Sequence, residues 1–217
     1  IGQPSYNKVL VNVPTKIGTG EIQITTKPLW EAKLKQGGDI LYRMERSQTT
    51  SQSVKTLLQE RMKELYAFDP EGSLTKASKA SQEGGFTMDV LRKVDYAGTP
   101  HIAVSPFPER TTTYKGATTG NQLADFLEKN IDLLSQKGYG MGGWYNKVDG
   151  LTYLDVVIPV SKKFQNQAIE LGKASNQIAA FDLETFSEIP LGGTGTIEKV
   201  APLNERLRMI SELLANP

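Results

Sequence analysis

Residues 139–160 read YGMGGWYNKVDGLTYLDVVIPV, and the division of this stretch decides the fold. Asp149-Gly150 is a strong hairpin signal, because the tight turns that match strand twist need positive φ values that Asp and Gly tolerate. The flanking segments, 139–145 and 152–160, are rich in aromatic and β-branched residues and read as two strands around a loop at 146–150. On the N-terminal side, 121–136 carries Leu123, Phe126, Leu127, Ile131 and Leu134 on one helical face, opened by Thr118 or Thr119 and closed by Gly138. A strand at 101–105 comes before it and ends at Pro106 and Pro108. On the C-terminal side, 162–175 reads as a helix with Phe164, Ala168, Leu171 and Ala174 facing inward and Asn176 as C-cap. A strand at 177–183 follows, with 188–190 folding back on it. The order is β-α-β-β-α-β. That is the split βαβ arrangement of ferredoxin-like folds, an α+β class in which an antiparallel sheet carries both helices on one face.

Further out the patterns are shorter. Residues 6–13 and 21–26 alternate apolar and polar around the glycine-containing loop KIGTG, a β-hairpin. A helical turn at 30–36 stops at Gly37-Gly38, and 40–44 is a short apolar segment, a strand or a helix start. Residues 51–66 form the clearest early helix, with Val54, Leu57, Leu58, Met62 and Leu65 at spacings of three and four. Residues 72–82, GSLTKASKASQ, are small and polar and read as a linker. Residues 86–94 read as a short helix and 204–214 as a final one. The expected organisation is therefore a hairpin and helix region at 1–82, an α+β module at 83–195 and a C-terminal helix at 196–217.

Composition narrows the chemistry. With 25 Lys and Arg against 24 Asp and Glu, the net charge of +1 gives no electrostatic footprint of a nucleic-acid binder or a protein bound to an anionic membrane. Residues 1–82 hold 12 basic and 8 acidic side chains and residues 83–217 hold 13 and 16, so a small basic patch belongs to the first part. The absence of Cys excludes disulfides, thiolate metal sites and a Cys nucleophile. The single His leaves His101 as the only imidazole for a triad or a zinc site. No apolar run reaches the length of a membrane-spanning helix. The start at Ile1 rather than Met implies a processed product or a piece of a longer polypeptide.

Few residues carry a chemical reading. Gly138, Gly140 and Gly143 match G-x-G-x-x-G, but they end a helix and enter a strand. A dinucleotide site needs the opposite order, so the glycines read as a helix cap and close sheet packing. Gly193 and Gly195, with Gly192 in LGGTGT, resemble a phosphate nest without the Lys-Ser/Thr ending of a P-loop. Asp155 and Asp182 sit in strands that could be neighbours, where paired carboxylates hold a divalent cation in nuclease-like sites. Glu109 and Arg110 lie on a Pro-stiffened loop at a strand end, as binding groups or as an internal ion pair. Asn176 and Gln177 at the end of the second helix are ligand contacts or a helix cap. Arg43 alone does not make the nucleotide clamp of an ADP-ribosyl transferase. No cofactor and no metal-ligand set is called for.

Taken together, SPFPERTTTYKG, KNIDLLSQ, GGWYNKVDGLTYLDVV, AIELGKASNQIAAFDL and EIPLGGTG resemble a module of uncharacterised large proteins from bacteriophages and mobile elements, over residues 105–195. The distinctive pieces are Trp144-Tyr145, Tyr153-Leu154-Asp155, Asn176-Gln177 and the closing Gly192-Gly193-Thr194-Gly195. The resemblance implies a phage-associated setting, in the virion or the host cytoplasm, often as one segment of a long chain. It brings no catalytic residues with it. Two functions are expected from these readings. One is a noncatalytic phage-associated protein that packs against other phage protein chains or copies of itself. The other is a metal-dependent enzyme or inhibitor acting on host nucleic acid or nucleotides through Asp155, Asp182 and Glu109.

Overall fold

The computed structural model describes residues 9–15, 18–24, 27–67 and 69–215, with side chains described from Lys27 onward. The long strand β8 (Leu151–Ser161) organises the sheet. Along one edge it pairs with β7 (Gly140–Asn146), from Gly140 opposite Val157 to Asn146 opposite Leu151. Along its other edge it pairs first with β6 (Thr112–Lys115) and then with β5 (His101–Val104). Beyond β5 come β9 (Ala179–Asp182) and β10 (Ser187–Pro190). Beyond β7 come β3 (Gly85–Asp89) and β4 (Val94–Asp95). All pairings are antiparallel, and these strands make one eight-stranded sheet. The chain is α+β.

The alternation along β8 explains how the layers form. Thr152, Leu154, Val156, Ile158 and Val160 are buried, while Leu151, Tyr153, Asp155 and Pro159 are only partly so, as period two requires of a sheet with one covered face; Val157 departs from it, buried on the other face against Gly140 and Gly142. Pro159 lies past Gly140, where β7 has ended, so the N–H it lacks is not needed on that flank. The covered face shares one core with α5 (Gly120–Lys129), α7 (Gln165–Ala174) and α8 (Leu203–Leu214), through Leu123, Leu127, Leu171 and Ile210. The side chains buried on α1 (Lys27–Lys35), α2 (Gly38–Arg46) and α3 (Gln52–Tyr66) join the same core. Bare glycines bring α2 and α5 together: a Cβ on Gly37 would sit 2.5 Å from that of Ala124. Arg43 then bridges the pair, donating to Glu128 at 2.6 and 3.0 Å.

Several elements depart from expectation. Residues 72–82 are not a linker: Ser73–Glu83 forms helix α4, with Ser73, Leu74, Ala77 and Ser81 buried. Its small side chains blur the apolar pattern but allow close approach, and the Ser81 hydroxyl accepts the Thr118 N–H at 3.1 Å. Residues 86–94 hold β3 rather than a helix, because Phe86, Met88 and Val90 enter the core at period two. The helix at 121–136 breaks at Asn130, whose amide donates to the Phe126 carbonyl at 2.9 Å, and resumes as the short α6 (Ile131–Leu134). Thr119 opens α5 through a capping box with Gln122. Strands β4 and β6 were not anticipated. Residues 40–44 lie inside α2. The early hairpin is present as β1 (Val9–Thr15) and β2 (Gly18–Ile24), paired antiparallel; residues 6–8 and 25–26 of the expected strands lie outside the described residues.

Between β4 and β5 the chain passes three intervening strands in residues 96–100. Tyr96 donates its N–H to Thr87, Gly98 donates to Leu183, and the Tyr96 ring stands edge-on to His101 at 5.4 Å. His101 alternates with the core residues Ile102 and Val104, so its ring and the Tyr96 ring against it lie on the face opposite the helices.

The glycines of β7 set the fit between strands. A Cβ on Gly143 would fall 2.3 Å from the Phe86 ring, with both residues in the core layer. Gly143→Ala is expected to destabilise the protein by about 1–3 kcal/mol, read as a lower urea midpoint at unchanged slope. A neutral substitution would show that β3 and β7 are less closely packed than described.

Candidate functional site

Cross-strand partners share a face of the sheet, and this decides the carboxylate pair. Asp182 stands opposite Ile102, a core residue, and so lies on the helix-covered side. Asp155, between buried Leu154 and Val156, lies on the other side. The two cannot hold one ion. Each also has its own surroundings. Lys162 sits 2.7 Å from Asp182, whose Oδ1 accepts the N–H groups of Glu184 at 3.0 Å and Thr185 at 3.1 Å. Burial alone would raise this carboxyl, but Lys162 and the backbone donors hold it down at about 2. At Asp155 burial dominates and pushes the carboxyl up, opposed by the Thr111 hydroxyl, which donates at 2.6 Å. Among the described residues, no group of three or more His, Asp or Glu is placed to hold a metal ion.

Glu109 and Arg110 do not pair with each other. Arg110 reaches Asp132 at 2.8 Å. Glu109 accepts both terminal nitrogens of Arg206 at 3.2 Å. Arg206 is buried on α8; it donates also to the carbonyls of Pro106 and, at 3.0 Å, Ala201, and its guanidinium lies over the Phe107 ring. A buried guanidinium with all three nitrogens hydrogen-bonded is a structural clamp, and it fastens the C-terminal helix to the loop after β5. It could have been read from the helical spacing of Arg206, Ile210 and Leu213, which places an Arg in an apolar stripe.

Asn176, Gln177, Gly193 and Gly195 do come together, in an arrangement closed on itself. Asn176 adopts φ 53 just past the end of α7. Its amide donates to the Thr194 hydroxyl at 2.7 Å and the Thr196 carbonyl at 2.8 Å, and its Oδ1 accepts the Thr194 N–H at 3.1 Å. Gly193 and Gly195 donate their N–H groups to the carbonyls of Gln177 and Asn176. The Gln177 side chain accepts from Ser105 N at 3.1 Å. A Cβ on Gly193 would lie 2.2 Å from the Gln177 carbonyl, which is why glycine stands there. The amides that would cradle an anion are spent in fastening the tail. His101 is also engaged, with Nδ1 2.9 Å from the Thr99 hydroxyl, and burial lowers its pKa. A groove of about 210 Å³ lined by Ser81, Gln82, Ala117 and Tyr145 holds no nucleophile and base in partnership.

The exposed feature that composition did not flag is Trp144, 47% exposed, beside Tyr153 on the next strand. The ring centroids are 5.7 Å apart with planes inclined by 37°. The signal was present in the hairpin as WY and TYLD, but alternation alone does not say which face is left uncovered. Comparison with protein-family models, curated proteins and solved structures finds no match to the chain.

Asp155 gives this site a pH signature. Its native pKa lies above the unfolded value of 3.8, so the native state holds the proton longer. The contribution of Asp155 to stability is therefore greatest below the unfolded pKa and falls as pH rises through the native pKa. Asp155→Asn keeps an acceptor for Thr111 and removes that fall. Thermal unfolding against pH should show a shallower decline above about pH 4 and a neutral-pH stability at least equal to the parent's. A less stable variant with the parent's slope would contradict this.

Proposed function

We propose that the protein is a noncatalytic, phage-associated module that works by packing against other protein chains, as a virion component or a protein delivered with the genome. The observation that carries the reading is the internal use of its reactive groups. Asp182, Glu109, Arg110, His101, Asn176 and Gln177 are each satisfied by neighbours within the fold, and Asp155 stands alone on the opposite face from Asp182. Catalysis needs groups that converge on one reacting atom, and these do not converge. The likeness of residues 105–195 to phage and mobile-element proteins supplies the setting, virion or host cytoplasm, and other phage chains or further copies of this chain as partners.

In the same spirit we read the central strands as a ferredoxin-like split βαβ unit. The neighbour order β9-β5-β8-β7, antiparallel throughout, and the helices α5 and α7 between β5 and β7 and between β8 and β9 support this. The remaining strands are additions at both edges and along β6.

The reading is tested with purified particles of the phage that encodes the chain. Mass spectrometry is expected to find the chain in the particle, or in complex with a phage protein from infected cells. Magnesium and manganese should leave its melting temperature unchanged. A chain absent from particles and complexes, with metal-dependent cleavage of DNA or RNA that disappears in Asp155→Asn, would overturn it.

A further inference from the structure

The Tyr96 and His101 rings lie at one end of the face opposite the helices, and toward the β7–β8 turn the face carries exposed Trp144 and Thr113. Register lays that second end out in rows. Gly85, Trp144, Tyr153 and Thr113 form one row across β3, β7, β8 and β6. Asn146, Leu151 and Lys115 form the next row toward the hairpin tip. On the other side the face is closed by buried Thr87 and Gly142, next to half-buried Asp155, with Thr111 bonded to Asp155. Two rings side by side are thus framed by hydroxyls, an amide and a carboxyl. Gly85 puts no side chain beside Trp144, so a flat group can lie against its ring.

Charge says what kind of flat group. Lys115 and Lys147, at the hairpin end, are exposed and have no ion-pair partner among the described residues. The carboxylate nearest Lys147 in sequence, Asp149, is occupied: it accepts from Asn146 at 2.8 Å, the Leu151 N–H at 2.9 Å and the Tyr153 hydroxyl at 2.8 Å. Within the rows the one carboxyl is Asp155, which already accepts the Thr111 hydroxyl at 2.6 Å. Aromatic rings on adjacent strands of an open antiparallel sheet, with free cations at the rim, are the arrangement that stacks successive bases while holding the backbone by charge.

We propose that the Trp144–Tyr153 face binds single-stranded nucleic acid, stacking two successive bases on the two rings with Lys115 and Lys147 on the flanking phosphates. Thr111, Thr113, Asn146 and Asp155 then meet base edges. The near-zero net charge of the whole chain makes the interaction weak and dependent on salt.

The chain has two tryptophans, Trp30 and Trp144, so Trp30→Phe leaves Trp144 as the sole fluorophore. Titrating this variant with short homopolymeric DNA and RNA oligonucleotides should quench Trp144, with affinity that falls as salt rises. In fluorescence anisotropy with labelled oligonucleotide, Tyr153→Ala and Trp144→Ala should each weaken binding on the order of ten-fold. Lys115→Ala should reduce the salt slope. Unchanged circular dichroism and melting temperature separate these effects from unfolding, and Tyr153→Phe, which retains the ring, should bind nearly as the parent does. No quenching, binding indifferent to Trp144→Ala, or quenching by poly-glutamate equal to that by oligonucleotide would overturn the proposal.

Discussion

The fold hangs on the two-sided pairing of one strand. β8 has eleven residues, long enough for β7 to occupy most of one edge while β6 and β5 share the other end to end. Backbone groups buried in a sheet must be paired, so this strand brings together chain segments from both ends of the module. Its Leu154, Val156 and Ile158 are wholly or almost wholly buried and give the helices one continuous apolar floor. Each removed methylene there costs both transfer energy and packing.

Once that floor is set, polar chemistry is divided between two faces and cannot gather. On the helix side, charged groups survive only as clamps, such as Arg206 with Glu109 and Arg61 with Glu64 and the Leu91 carbonyl. Removing one partner of such a pair leaves a buried charge uncompensated, so they hold elements in place. The Asn176 clasp does the same with neutral groups, spending its amide and carbonyls on the glycine-rich tail. The opposite face keeps its polar groups apart from these clamps. What remains beside the Trp144 and Tyr153 rings is a surface of hydroxyls, an amide and the Asp155 carboxyl.

How much was legible depended on whether local pattern or tertiary contact decides. The Asp149-Gly150 turn, the stripe of Leu123, Phe126 and Leu127, and the Ala168 and Leu171 spacing are local, and β7, β8, α5 and α7 follow from them. Helix α4 was hidden because Ser and Ala pack by closeness rather than by hydrophobic contrast. β3 is short, and its alternation of Phe86, Met88 and Val90 with Thr87 and Asp89 is interrupted at once by Leu91, so a helical reading of 86–94 competes with it. β6 in TTTYKG is a strand only because β8 offers it an edge. The candidate residues were visible singly, but their partners were not: Glu109 pairs with Arg206 ninety-seven residues away, and the opposite facing of Asp155 and Asp182 follows from register, which sequence distance does not reveal.

The two-edged role of β8 is tested most directly by native-state hydrogen exchange followed residue by residue. The account predicts that the amides of β8 which pair with β7 and β5 exchange last, only through global unfolding, with a free energy equal to that from denaturant unfolding. If those amides exchanged through local opening while α2 and α3 stayed protected, the sheet would not be built on β8, and the account would be wrong.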